Sequence, residues 1–276
     1  MHVHSRVLRN LSQGLPTLGS ALHLIDPTVF EMASLMGIEA IWLDLEHHPT
    51  SVETAANLIR AARVGGTDVV ARPANGEFAR MARLLEAGAR GIMYPRCASA
   101  DEAREVVRWA KFAPVGERGF DGSGPDVPFL LTPMTQYLQQ ANRETFLIIQ
   151  IESQGALDQI EQIAAVPGID FLMLGPADFS ILSGIPGEFQ NPRIRSALER
   201  VATAAQQAGI HWAATCGSLE QAQEYVEMGA KLVFHGCDLV AIFQEFQRVV
   251  DGFKKFRPSV ESVHQNQNGS SYLAQT

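Results

Sequence analysis

Two apolar runs of this sequence each break off at a carboxylate. FLIIQI (146–151) runs into Glu152, and FLML (171–174) runs into Gly175, Pro176, Ala177 and Asp178. Continuous runs of Val, Ile, Leu and Phe without alternation are the pattern of parallel strands buried on both faces. Successive parallel strands set their C-terminal ends side by side, so Glu152 and Asp178 are expected at one rim, where a hard divalent cation can bridge them. The bare pattern leaves helix caps and surface acids open as alternatives. Other strand ends contribute Asp44, Glu46, His47 and His48, then Arg72, Arg96 and Cys97, Gln150, Thr215 and Cys216, and His235 and Asp238. Two acids, a histidine three residues after an acid, and an arginine suit a metal-assisted reaction on an anionic carbonyl compound. Gln150, two residues before Glu152, faces the same side of its strand and can reach substrate or metal-bound water. Pro73 forces an extended backbone at Arg72, which favours a rim position over a freely solvated one. His48 competes with His47, and a loop histidine is more often a bystander.

Strands are expected over 15–24, 40–45, 68–71, 91–94, 146–151, 171–174, 211–215 and 231–234. Helical spacing lies between them, over 28–36, 52–64, 76–86, 99–111, 154–165, 192–208, 218–228 and from Asp238, read as the cap, to about 253. An extra helix is expected over 134–142, and a loop over 181–191. Strand–helix alternation implies parallel pairing through right-handed crossovers, and eight such units fit a (β/α)8 TIM barrel, with a doubly wound open sheet as runner-up. No GxGxxG follows the first strand and no P-loop is present, which argues against nucleotide binding. The rhythm breaks over 114–133, which carries four glycines and four prolines and includes the segment GERGFDGSGPD. An insert of that length in a compact domain is usually functional or disordered.

The chain has 276 residues, a net charge of −8 and no basic block, which argues against nucleic acid or an anionic membrane as partner. No apolar run reaches transmembrane length and the first residues lack the apolar core of a signal peptide, so a cytoplasmic protein is expected. Cys97, Cys216 and Cys237 show no CxxC spacing and read as reduced thiols. One domain is expected over 1–257, followed by a polar tail over 258–276 with little to bury, read as disordered.

WLDLEHHPT (42–50), VVARP (69–73), LLEAGARGIMYPR (84–96), GERG (116–119), IIQIE (148–152) and GPADFS (175–180) together resemble the HpcH/HpaI aldolase family over roughly 15–255. These are class II, metal-dependent pyruvate aldolases. The resemblance implies a barrel of the phosphoenolpyruvate/pyruvate type, hexameric, with end helices packed on a neighbouring subunit. It implies Glu152 and Asp178 as ligands of Mg2+, Mn2+ or Co2+, and Arg72 at the keto oxygen. It implies His47 as base with Asp44 orienting its ring, Glu46 as an acceptor behind them, and the amides of Ala177 and Asp178 as receivers of the pyruvate carboxylate. Gln150 joins the substrate contacts. The activity implied is reversible cleavage of a 4-hydroxy-2-oxo acid to pyruvate and an aldehyde. A Schiff-base route is disfavoured, because none of the four lysines (Lys111, Lys231, Lys254, Lys255) ends an expected strand. Two departures bear on the acceptor: GERGFDGSGPD differs in the loop expected to shape its site, and Glu86 replaces a common aspartate in a relay to His47. Other readings are a citrate- or malyl-CoA lyase-like enzyme, an oxaloacetate decarboxylase, and a non-catalytic binder of small acids.

Overall fold

The computed structural model describes residues 4–129 and 131–256, and the expected tail over 258–276 lies outside them. Eight parallel strands close into a barrel in chain order, which excludes the open sheet. They are β1 (Thr17–Leu22), β2 (Ala40–Asp44), β3 (Asp68–Arg72), β4 (Gly91–Tyr94), β5 (Phe146–Ile151), β6 (Phe171–Leu174), β7 (His211–Cys216) and β8 (Leu232–Cys237). The helices are α1 (Arg6–Ser12), α2 (Pro27–Leu35), α3 (Val52–Ala62), α4 (Phe78–Glu86), α5 (Ala100–Ala110), α6 (Met134–Glu144), α7 (Gln154–Asp158), α8 (Ile160–Ala164), α9 (Pro176–Leu182), α10 (Pro192–Ala208), α11 (Leu219–Glu227) and α12 (Asp238–Lys254).

The runs read as doubly buried strands are so: every residue of β3, β4, β5 and β6 is buried. Inward side chains, among them Val70, Met93, Phe146, Phe171 and Phe234, form one core inside the barrel. A second, larger core lies between the strands and the helical ring. Both are needed, because a parallel strand is apolar on each face.

Four local readings need correction. Residues 154–165 form two short helices, because the backbone leaves helical geometry at Gln159, while Ile160 and Ile163 stay buried. The expected loop over 181–191 begins as the end of α9, a helix with Pro176 in its first turn, a position where the ring costs no hydrogen bond. The cap of α12 is Cys237, whose sulfur accepts from the Val240 amide, while Asp238 is the first helical residue. Helix α1 was not expected. Ser5 caps it, and the Asp68 carboxylate accepts from Ser5 Oγ at 2.6 Å and the Val7 amide at 2.9 Å, seating Val7 against the inner core at the N-terminal end of the barrel.

The insert over 114–133 also lies at that N-terminal end. It leaves the end of α5 and is tied down by Arg118 donating to Asp126 at 2.8 Å, the Tyr137 hydroxyl donating to the same carboxylate, and Arg118 stacked on Phe112. Glu86 belongs to this group, its carboxyl raised by burial, with the charges of Arg118, Asp126 and Asp121 around it. Within the chain, therefore, the insert does not line the rim where β2 and β3 end, and Glu86 makes no relay to His47.

Candidate active site

β2 and β3 pair in register, Asp44 opposite Arg72, and both strands end there. The pairing sets a carboxylate beside a guanidinium at the C-terminal rim. Arg72 donates from Nε to Asp44 Oδ1 at 2.9 Å and from Nη2 to Oδ2 at 2.7 Å. The guanidinium carbon lies 4.6 Å from the Trp42 ring centroid, so the fork is held from its face as well as its edge. Burial works against the Asp44 anion, but the Arg72 fork outweighs it and Asp44 is held below the usual carboxylate range. With Nε and Nη2 engaged, Nη1 points elsewhere, toward Gln150 Oε1 at 3.5 Å.

Glu152 follows β5 and is 3% exposed. Among the described residues its hydrogen-bond donor is the Arg96 amide, 2.8 Å from Oε2. Burial pushes its carboxyl up to about 7, the nearby charges of Asp178 and Glu46 push the same way, and Arg72 opposes them. The room it occupies depends on Gly175: a Cβ there would lie 2.1 Å from Glu152 Oε1. Asp178 stands in the first turn of α9. The first amide of that helix to find a backbone carbonyl is Phe179 N–H, bonded to Gly175 O at 3.0 Å, which leaves those of Ala177 and Asp178 at the rim, Pro176 having none. A buried carboxylate short of counter-charge, with a second acid beside it, is a donor set that suits a hard divalent ion.

The histidine pair departs from expectation. The ring of His47 does not contact Asp44; its Nε2 lies 3.5 Å from Glu46 Oε2, while its backbone amide points at Asp44 Oδ1 at 3.5 Å. Asp44 is occupied by Arg72, and the His48 ring comes within 4.0 Å of its other oxygen. Glu46 bridges the two groups, with Oε2 also 3.4 Å from Arg72 Nε, and burial raises its carboxyl. Gln150 is buried at the end of β5 beside Arg72.

Some rim residues are not drawn in. Arg96 is exposed with φ 51, and Cys97 is buried against the Ser99 carbonyl. Cys216 and His235 bond within the β7–β8 pair. Lys111 Nζ donates to Thr145 O at 2.5 Å, just before β5 begins, far from the strand ends. Sequence reasoning missed His23, just beyond β1, which pairs with Asp238 at 3.3 Å and packs its ring on His48. The sole sequence signal was a polar residue closing an apolar run.

Eight parallel strands, with acids, an arginine and histidines gathered where they end, define a barrel with an enzyme-type rim. The chain belongs to the HpcH/HpaI aldolase/citrate lyase family, whose model matches residues 22–244, and it is an enzyme of the carbon–carbon lyase type. It is 31% identical over 228 residues to 4-hydroxy-2-oxo-heptane-1,7-dioate aldolase of Shigella sonnei, covering 83% of this chain and 87% of that one. It is 30% identical to hydroxypyruvate/pyruvate aldolase of Pseudomonas aeruginosa, covering 92% and 95%. The crystal structure of an HpcH/HpaI aldolase from Desulfitobacterium hafniense superposes with a TM-score of 0.84 at 30% identity, covering 90% and 96%.

The raised carboxyl of Glu152 carries a stability prediction. Its anion is disfavoured in the fold, so the cost is small near the ordinary value of 4.5 and grows as pH rises through about 7. In metal-free protein, Glu152→Gln should therefore raise unfolding free energy by about 3 kcal/mol at about pH 8 and by less than about 1 kcal/mol at about pH 5. Urea melts at the two pH values measure this, and an equal effect at both would contradict it.

Proposed function

We propose that the chain, as a single barrel domain over 1–257, is a divalent-metal-dependent aldolase that cleaves a 4-hydroxy-2-oxo acid to pyruvate and an aldehyde, and runs the reverse addition. The observation that carries this is the fixed Arg72 guanidinium near the buried, under-compensated Glu152 carboxylate, which has Asp178 as a second acid close by. Glu152 and Asp178 would hold Mg2+, Mn2+ or Co2+, and the ion, when bound, supplies Lewis-acid polarisation of the 2-oxo group. Arg72, its other donors taken by Asp44, offers Nη1 to the oxygen on which enolate charge develops. The amides of Ala177 and Asp178 receive the substrate carboxylate at the start of α9. Gln150 orients the same end of the substrate from the floor of the rim. His47 takes the proton of the 4-hydroxyl; the C3–C4 bond then breaks, the aldehyde leaves, and the proton held by His47 is returned, directly or through water, to C3, giving the methyl of pyruvate and the neutral imidazole. Glu46, rather than Asp44, steadies the imidazolium. Asp44 acts through Arg72, holding its fork in place.

We further infer a homo-oligomer, with a hexamer favoured. Helix α12 leaves Ile242, Phe243, Phe246, Val249, Val250 and Phe253 exposed, a continuous apolar surface that a second copy would cover. Among the described residues no helix is long and apolar enough to cross a membrane, and the three cysteines are free thiols, consistent with our reading of a cytoplasmic protein with small-molecule substrates.

Pyruvate release from 4-hydroxy-2-oxo acids, followed with a coupled dehydrogenase, tests the activity. Release should require added Mg2+, Mn2+ or Co2+, vanish in Asp178→Ala, and fall by roughly 100-fold or more in Arg72→Lys, which keeps the charge but loses the fork. Turnover in excess chelator, or undiminished turnover in Asp178→Ala, would overturn the reading. For the assembly, sedimentation should give a multiple of the chain mass that collapses when Phe243→Glu and Phe246→Glu are combined; a monomeric starting protein would refute it.

A further inference from the structure

We propose that His23, Cys237 and Asp238 form a second cation site, separate from Glu152 and Asp178, that takes a borderline-soft divalent ion of the Zn2+ and Co2+ type. One ligand atom from each residue lies within 4.8 Å of the others. Thiolate, imidazole and carboxylate together suit Zn2+ or Co2+ and not Mg2+, which prefers oxygen donors alone.

The backbone brings these groups together at the seam where the barrel closes. β8 pairs with β1 through a register shift between Gly19 and Ala21, and Ala21 then stands opposite Cys237. Gly236, within the irregular stretch, has φ 72, a conformation that other residues resist. In a regular strand Cys237 and Asp238 would point to opposite faces; the bulge and the turn into α12 aim both at His23.

The surroundings already hold the donors in place. The Asp238 carboxylate accepts from the His23 amide at 3.0 and 2.9 Å and the Leu24 amide at 2.8 Å, and Oδ1 lies 3.3 Å from His23 Nδ1. Cys237 Sγ accepts from the Val240 amide at 3.4 Å, which steadies a thiolate while leaving lone pairs for an ion. The His23 ring packs on His48 with centroids 4.8 Å apart, so the site borders the catalytic rim. An ion pair alone accounts for His23 and Asp238, but not for a thiol sulfur within 4.8 Å of the same imidazole. Asp238 is buried while His23 and Cys237 are half-buried, which leaves an ion a path of entry. On binding, the proton on the ligating ring nitrogen and that on the thiol pass to solvent.

Titration of the metal-free full chain with Co2+ tests this without reference to turnover. A thiolate-to-cobalt charge-transfer band should appear and saturate by two equivalents, the other equivalent going to Glu152 and Asp178. It should persist in Asp178→Asn, because oxygen donors alone give no such band, and disappear in Cys237→Ser. A wild-type protein without the band, or a band that Cys237→Ser retains, overturns the proposal. A second measurement needs no variant: Cys97 and Cys216 are buried, so Cys237 is the thiol open to alkylation. Free Zn2+ at about 100 times its Kd should slow that alkylation by about 100-fold, and Mg2+ should not. Equal rates with and without Zn2+ would also overturn it.

Discussion

The fork between Asp44 and Arg72 joins two adjacent strands, neutralises two buried charges and leaves one guanidinium nitrogen aimed at the rim. The two side chains are 8% and 9% exposed, so each depends on the other. Removing one partner from such a pair costs about 3–5 kcal/mol, since the charge left behind is buried and unpaired. The geometry costs less to maintain than it would in a loop, because strand register fixes both Cα positions and Trp42 fixes the plane of the guanidinium. A positive charge that cannot move away is what a developing enolate oxygen requires.

On the neighbouring strands the balance runs the other way. Glu152 is buried with a single amide donor among the described residues, beside Asp178 and within the field of Glu46. Hydrophobic strands carry it into a place where its anion is disfavoured, and Gly175 gives it room there. A fold selected for stability alone would not keep that arrangement; one that binds a cation there regains the cost on binding. The rim thus combines an arginine whose charge is paired with a buried acid, Glu152, whose charge is not, and this asymmetry underlies our mechanism.

Much of this was legible in the sequence because apolar runs end where polar residues begin. β4, β5, β6 and α10 have the bounds expected of them, and Arg72, Gln150, Glu152 and Asp178 fall where strand ends put them. What depends on pairing across the chain was not legible. Asp44 was expected to serve His47, three residues on, but register sets it against Arg72, 28 residues away, and His47 meets Glu46 instead. His23 finds Asp238 across 215 residues, and only closure of the barrel brings them together. The insert over 114–133 was expected near the substrate because the family resemblance implies a loop there that shapes the acceptor site, but it follows a helix and so begins at the opposite end of the barrel.

Exchange of the pyruvate methyl protons in D2O, followed by NMR, tests most directly the claim that this rim forms an enolate, since it needs no knowledge of the aldehyde. With Mg2+, Mn2+ or Co2+ added to the metal-stripped protein, exchange should appear, vanish in Asp178→Ala and slow strongly in His47→Ala and Arg72→Lys. Absence of exchange with all three ions, in folded protein shown to bind them, would contradict the account.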